Sequence, residues 1–347
     1  MNVLGVSTWP LTMVVAVFIL AAAVIAVVGS KMTKTADQLA DITGLGEAIF
    51  GAVFLGGCTS LPGIVTSVVT AYQGYPELSL SNAVGGIAAQ TTFLAIADIF
   101  HRRVNLEHAA ASVENLVQGS LLVTLLAIPL FAATTPDVTF LKIHPATPVL
   151  LAAYIMGIRL VAKSRSVPLW KPENTKETKV DTPDKDTLEN RSRASIWSRF
   201  VISAAVVAVA GYAVAQTGIV LADETGLSQT VVGGLFTALA TSLPELVTSV
   251  AAVRQGALTL AVGGIIGGNS FDVIFVAIAD ISYRQGSIYH AVTDRQIFII
   301  SLTIILTGIL LMGLLRREKH GIGNIGFESF LVIFLYLGAF TLLFFSQ

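Results

Sequence analysis

Charge is scarce in this chain. Asp, Glu, Lys and Arg make up 12% of its 347 residues, about half the share of an ordinary soluble domain, which argues against a water-soluble enzyme. Neither sign is in surplus: 21 basic residues stand against 22 acidic ones, so global charge gives no case for nucleic-acid binding. Cysteine is nearly absent. Cys58 has no intrachain partner to form a disulfide and says little about redox compartment. What the chain does have is apolar residues, 54% of the total, with a mean hydropathy of +0.77 spread over its length. Such a polypeptide needs an apolar solvent, a lipid bilayer.

A bilayer core takes about 20 apolar residues per helix. Ten stretches between charged or turn-rich breaks fit: 11–29, 45–73, 79–99, 116–133, 146–162, 199–217, 227–253, 257–281, 296–315 and 328–345. An all-α membrane protein of ten transmembrane helices is the expected fold class. Lys and Arg orient it. With the N-terminus outside, 17 of the 21 fall on internal connections, and only Lys142, Arg284 and Arg295 lie outside, with Arg159 near the inner end of its span. Both termini are expected outside. Residues 163–198 are charged and almost free of large apolar side chains, too polar to offset the entropy of ordering. They read as a cytoplasmic linker, a plain tether or a regulatory arm, between a first unit at 1–162 and a second at 199–347.

The two units share a sequence. An offset of 182 residues aligns Gly44–Asp98 with Gly226–Asp280 without a gap, and 22 of the 55 pairs are identical. Thr59-Ser60-Leu61-Pro62 and Val65-Thr66-Ser67-Val68 recur as Thr241-Ser242-Leu243-Pro244 and Val247-Thr248-Ser249-Val250. Five spans per unit is an odd number, so the second copy enters the membrane with opposite polarity. Two inverted-topology five-helix repeats with interrupted helices are a signature of secondary transporters, whose sites lie near the midplane. A channel of the same build is the other reading.

The repeated segment carries the chemistry. Pro62 and Pro244 lack an amide hydrogen and leave backbone carbonyls short of partners, which a hard cation could satisfy. Thr241, Glu245 and Thr248 or Ser249 share one helical face, and Asn269 lies one turn before Asp272. Intramembrane carboxylates usually serve ions or protons. Glycines 85, 86, 263, 264, 267 and 268 let helices approach or offer carbonyls. Asp98 and Asp280 end their spans at matching positions and are read as hydrated interfacial groups or as part of a pathway; an intramembrane protease would need them as a dyad. Glu47, opposite Gln229 in the repeat, could stand at an entrance.

At these residues the chain resembles the calcium/cation antiporter superfamily, the sodium/calcium exchangers and their prokaryotic relatives. Its motifs are Gly-Thr-Ser-Leu-Pro-Glu and Gly-Ser-Asn-Xaa-Phe-Asn/Asp. Ala240-Thr241-Ser242-Leu243-Pro244-Glu245 and Gly268-Asn269-Ser270-Phe271-Asp272 come close to both. The first copy departs: Gly63 stands where a glutamate belongs, with Gly86, Ile87 and Gln90 at three further motif positions. The resemblance implies a prokaryotic inner-membrane antiporter that exchanges Ca²⁺ for Na⁺ or H⁺ by alternating access, and not an enzyme. It implies no cofactor and no partners beyond the transported cations and the bilayer. Its ligands would be Glu245, Asp272, Thr241, Ser242 and Asn269, with Thr59, Ser60 and Gln90 as neutral ligands from the degenerate copy. Ca²⁺ usually takes several carboxylates, and here two remain. A shift toward monovalent cations or protons is therefore the alternative, and Gly63→Glu is expected to strengthen Ca²⁺ binding if the missing carboxylate alone limits it.

Overall fold

In the computed structural model, residues 6–43, 56–99, 105–166, 170, 172, 173, 175, 193–319, 321 and 326–346 are described. Among them the chain is helical. In order come α1 (Leu11–Val24), α2 (Ser30–Thr43), α3 (Leu61–Tyr72), α4 (Pro76–Ile99), α5 (Leu106–Ala110), α6 (Val113–Ala132), α7 (Ala146–Ser166) and α8 (Arg193–Thr225). The second unit continues with α9 (Gln229–Val231), α10 (Ala238–Thr241), α11 (Leu243–Gln255), α12 (Leu258–Asp272), α13 (Ile274–Ser282), α14 (Asp294–Arg316) and α15 (Phe327–Phe345). π-helical turns join α1 to α2 at Ile25–Gly29 and α9 to α10 at Val232–Thr237.

Eight of these helices or continuous helical runs are long and apolar enough to cross a membrane, nine if the pair Gln229–Thr241 and Leu243–Gln255, bent by 50°, is one span. The expected second span, 45–73, lies outside the described residues up to position 55, as does Glu47; its described part is the helical turn 56–59 and α3. The expected linker 163–198 is entered from both sides by α7, which runs to Ser166, and by α8, which starts at Arg193.

Both prolines sit where proline is tolerated. Pro62 and Pro244 are the second residues of α3 and α11, where no helical amide bond is required of them. Each follows a break at a serine, so each half-helix begins afresh instead of kinking. Thr66 and Thr248 donate to the Pro62 and Pro244 carbonyls at 2.9 and 3.0 Å. Gly74 and Gly256, which close the matching turns after α3 and α11, take φ of +88° and +77°, a region that a side chain disfavours.

Helix α4 is the centre. Its most apolar stretch is 94% buried, against 17% for Leu11–Leu39, and it packs on α3, α11, α12, α14, α15 and the π turn at 232–237. Close approach needs glycine here: a Cβ on Gly85 would lie 2.5 Å from the Gly234 backbone. Gly263 and Gly267 likewise make room for Asn115 and Gln118. These contacts give the glycines a packing role.

The helix ends are tied by buried polar groups related by the same offset. Asp98 accepts from the amides of Leu106 and Gly326 at 2.7 and 3.2 Å. Asp280 accepts from Ile288 and His144 at 2.9 Å each, and from the Thr147 hydroxyl at 2.6 Å. His108 and His290 bond the carbonyls of Arg317 and Thr135 at 2.8 and 2.7 Å. Both aspartates are fully buried. They are neither hydrated interfacial groups nor a dyad; they staple loops to helix ends.

Beside Asp98 the tie is acidic. Glu107, 4% exposed, accepts from the Ser329 hydroxyl at 3.1 Å, with Arg316 3.8 Å from the neighbouring Glu328. Burial, then the charges of Asp98 and Glu328, push the Glu107 carboxyl up to about 7. An acid whose folded-state value is raised contributes full stability below its unfolded value and loses it as pH climbs through the folded one. Detergent-solubilised protein should therefore lose thermal stability between about pH 4.5 and 7, by at most roughly 3 kcal/mol from this group. Glu107→Gln should flatten that slope, and thermal unfolding curves that keep the wild-type slope would refute the assignment.

Candidate functional site

The broken helices of both units meet at the middle of α4. Asn82, Gly86 and Gln90, spaced i, i+4 and i+8 along α4, share one face. They look across at the second unit's break, Thr241 and Ser242, and at Glu245 and Asp272. Together with Ser60, Gly63, Ala83 and Phe275 they line a small cavity of about 10 Å³, room for roughly one water-sized body.

Asp272, 2% exposed, is held from the opposite unit. Ser60 Oγ donates to its Oδ1, and Gln90 Nε2 donates to its Oδ2 at 2.6 Å. The same Nε2 lies 3.3 Å from Ser242 Oγ. Gln90 and Asp272 are repeat mates, as are Ser60 and Ser242, so the local two-fold axis passes through the cavity. Hydrogen bonds to the ionised form stabilise a buried carboxylate that would otherwise be costly.

Glu245, 7% exposed, is less well served. Its Oε2 has no hydrogen-bond partner, nor have Gln90 Oε1 and Asn269 Oδ1. All three are acceptors, and leaving each buried and unpaired costs about 1–3 kcal/mol. A cation satisfies such atoms and a hydrogen-bond acceptor cannot. Among the described residues no group of three or more His, Cys, Asp or Glu side chains gathers as a metal site. The arrangement is therefore a two-carboxylate site completed by neutral oxygens.

Of the eight residues singled out from sequence, six line the cavity: Ser60, Gln90, Thr241, Ser242, Glu245 and Asp272. Thr59 donates to the Gly56 carbonyl at 3.0 Å, and Asn269 donates through Nδ2 to Thr91 at 3.0 Å; neither is among the lining residues. Thr241 spends its hydroxyl proton on Thr237 O at 2.9 Å, which leaves its lone pairs free. Thr248 bonds back to its own helix.

Sequence reasoning missed Asn82, whose Nδ2 donates to Ser67 Oγ at 2.9 Å and to Gly63 O at 3.3 Å while its Oδ1 accepts from Thr237 at 2.8 Å. The signal was present: a polar residue two helical turns before Gln90. It also missed Phe275. A Cβ on Gly63 would stand 2.8 Å from Phe275 Cε2, so the place of the missing first-copy carboxylate is occupied by a ring. The expectation that Gly63→Glu alone strengthens binding does not fit that packing.

The chain is similar to known proteins along most of its length. Over 312 residues the chain is 24% identical to the putative antiporter CaxA of Alkalimonas amylolytica, covering 90% of this chain and 92% of that one. It is 29% identical to the sodium/calcium exchanger MaX1 of Methanosarcina acetivorans over 154 residues, 44% of each chain. Its fold resembles the crystal structure of an H⁺/Ca²⁺ exchanger, CAX, with a TM-score of 0.69 at 12% identity, over 96% of this chain and 86% of that one. It also resembles the sodium-calcium exchanger NCX_Mj, with a TM-score of 0.58 at 18% identity, over 96% and 99%. Residues 13–162 and 195–345 match the model of the sodium/calcium exchanger protein family, covering both units, and the chain belongs to that family of membrane ion antiporters.

Proposed function

We propose that the chain is a secondary active cation antiporter that exchanges Ca²⁺ for Na⁺ or H⁺ at the cavity between Glu245 and Asp272. The observation that carries this reading is the pair of unpartnered acceptor oxygens on Glu245 and Gln90 beside a second carboxylate in one small cavity. Glu245, Asp272, Thr241, Ser242, Ser60 and Gln90 are the proposed ligands; Asn269 and Thr59 stand just behind them. Na⁺ or H⁺ occupying the two carboxylates from one side, and Ca²⁺ displacing it from the other, couples the fluxes by competition for the same charges. The glycine at position 63 favours a second reading, exchange of monovalent cations or protons alone, because a divalent ion finds one carboxylate fewer than repeat symmetry would supply.

The proposed topology is ten spans in two inverted units, 1–162 and 199–347, with both termini outside and the linker 163–198 in the cytoplasm of a prokaryotic cell. The offset-related hydrogen bonds support the pairing of the units. Alternating access then needs two spans to move past the breaks, and a glycine lies at each contact. A Cβ on Gly29 would meet the Pro244 ring at 2.6 Å, and one on Gly211 would meet the Pro62 carbonyl at 2.8 Å. Gly29 and Gly211 are repeat mates, as are Pro62 and Pro244. Each unit thus lays a bare glycine of its first long helix against the other unit's break; at Gly211 the Thr66 hydroxyl also donates to the glycine carbonyl at 3.0 Å, a bond that sliding must break.

Reconstituted protein tests both points. Glu245→Gln should abolish Ca²⁺ uptake driven by an outward Na⁺ or H⁺ gradient; wild-type flux in that variant would sink the site assignment. Gly211→Ala, whose Cβ would meet backbone and not a movable side chain, should lower turnover by roughly tenfold or more, as a barrier rise of about 1.4 kcal/mol does, while Ca²⁺ affinity by calorimetry stays at the wild-type value. Reduced affinity with unchanged turnover would show that the contact serves binding and not sliding.

A further inference from the structure

The site is symmetric in backbone and lopsided in charge. Glu245 and Asp272 both belong to the second unit, and their repeat mates are Gly63 and Gln90. At Gly63 more than a side chain has been lost, because the volume is filled. Phe275, 4% exposed, sets Cε2 at 2.8 Å and Cδ2 and Cζ at 3.6 Å from where a Gly63 Cβ would stand. Its ring is wedged. Phe271 meets it edge-on, with centroids 6.2 Å apart at 83°, and Tyr154 backs Phe271 at 6.1 Å and 75°. Phe271 itself fits against bare backbone, since a Cβ on Gly56 or Gly57 would lie 3.3 Å from it. The three rings form one packed row, and the innermost cannot swing aside without displacing the other two.

We infer that Phe275 is a specificity-determining residue: by occupying the place of a first-unit carboxylate it fixes the site's charge at two, so that one divalent cation exchanges for two monovalent ones. This rests on the antiporter reading and adds its stoichiometry. Two carboxylates neutralise one Ca²⁺ or two Na⁺ or H⁺, and a site of buried carboxylates disfavours any occupant that leaves net charge. Transport through it is electroneutral. A third carboxylate, admitted by removing the ring, changes the balance to three monovalent charges against one divalent ion.

The experiment is Ca²⁺ flux into proteoliposomes with a valinomycin-clamped K⁺ diffusion potential, joined to calorimetric Ca²⁺ titration of the purified protein. Wild-type exchange should be insensitive to the potential. Phe275→Leu, which keeps an apolar side chain in the row, should remain electroneutral. Gly63→Glu alone should bind Ca²⁺ no more tightly than wild type. Gly63→Glu with Phe275→Ala should make flux respond to the potential, because one Ca²⁺ then leaves one of three carboxylates uncompensated while three monovalent ions neutralise them all. Wild-type protein that neither binds nor exchanges Ca²⁺ overturns the antiporter reading. Wild-type protein that exchanges Ca²⁺ with potential-dependent flux overturns the stoichiometry and leaves that reading intact. A folded double variant whose Ca²⁺ flux stays insensitive to the potential removes Phe275 from the determinants of specificity.

Discussion

A carboxylate placed inside a membrane protein needs donors, and Asp272 obtains both of its donors from the other half of the chain, Ser60 and Gln90. Much else is arranged around that bond. Ser60 can reach Asp272 because the helix breaks at a serine before Pro62 and restarts. Gln90 can reach it because α4 lies at the centre of the bundle, pressed so close to the second unit's π turn that Gly85 and Gly234 meet backbone to backbone. Residues that make no contact with an ion therefore decide whether the ion's ligands are aligned. In the proposed site the bond also couples ligand and scaffold: a cation that draws Asp272 toward itself weakens its bonds to Ser60 and Gln90, which join Asn82–Thr237 and Gln90–Ser242 in linking the two units at the cavity.

Away from the centre, the same offset of 182 residues relates the fastenings. Asp98 and Asp280 each collect two amides, one from the segment that follows and one from just before a span of the other unit, and the pairs Leu106 with Ile288 and His144 with Gly326 are repeat mates. His108 and His290 bond matching carbonyls. The symmetry persists in backbone-directed bonds even where side chains have diverged, because an amide or a carbonyl is available at every such position whatever residue occupies it. The divergence appears in what surrounds the fastening. Where Glu107 meets Ser329, the equivalent place has the Tyr289 and Thr147 hydroxyls at 2.9 Å, so one tie titrates near neutrality and the other is neutral.

This explains how much could be read in advance. The Thr-Ser-Leu-Pro breaks, the two carboxylates, Ser60 and Gln90 were legible because repeat identity and helical spacing both point at them. Spacing assigns a residue to a helical face; it does not say where a hydroxyl proton goes. Thr59 shares its hydroxyl between the Gly56 carbonyl and Glu245, and Asn269 turns its amide toward Thr91. Phe275 was invisible for a different reason. It is identical to its mate Phe93 and looks like ordinary core, and its role exists only because position 63, on another helix, has no side chain. Gly29 and Gly211 fall outside or beyond the best-conserved stretch of the internal alignment, where small apolar residues are common and uninformative. Asp98 and Asp280 were correctly matched and wrongly interpreted, since a span-end aspartate looks the same in sequence whether water or backbone amides surround it.

An exchanger needs two conformations of similar free energy, and the proposed arrangement of two inverted copies would provide them: whatever packing one copy adopts, the other can adopt in turn. Charge is under no such constraint. A ligand at the two-fold axis lies equally near both copies, so a carboxylate can be lost from one unit while the cavity keeps its charge in the other. At Gln90 and Asp272 the mates are an amide and an acid bonded to each other, a pair in which the amide supplies the donor that a second acid could not supply while ionised. At Gly63 and Glu245 the loss is absolute and a ring has closed over it. Backbone symmetry preserves the means of switching sides, whereas the asymmetry of the side chains decides what the switch carries.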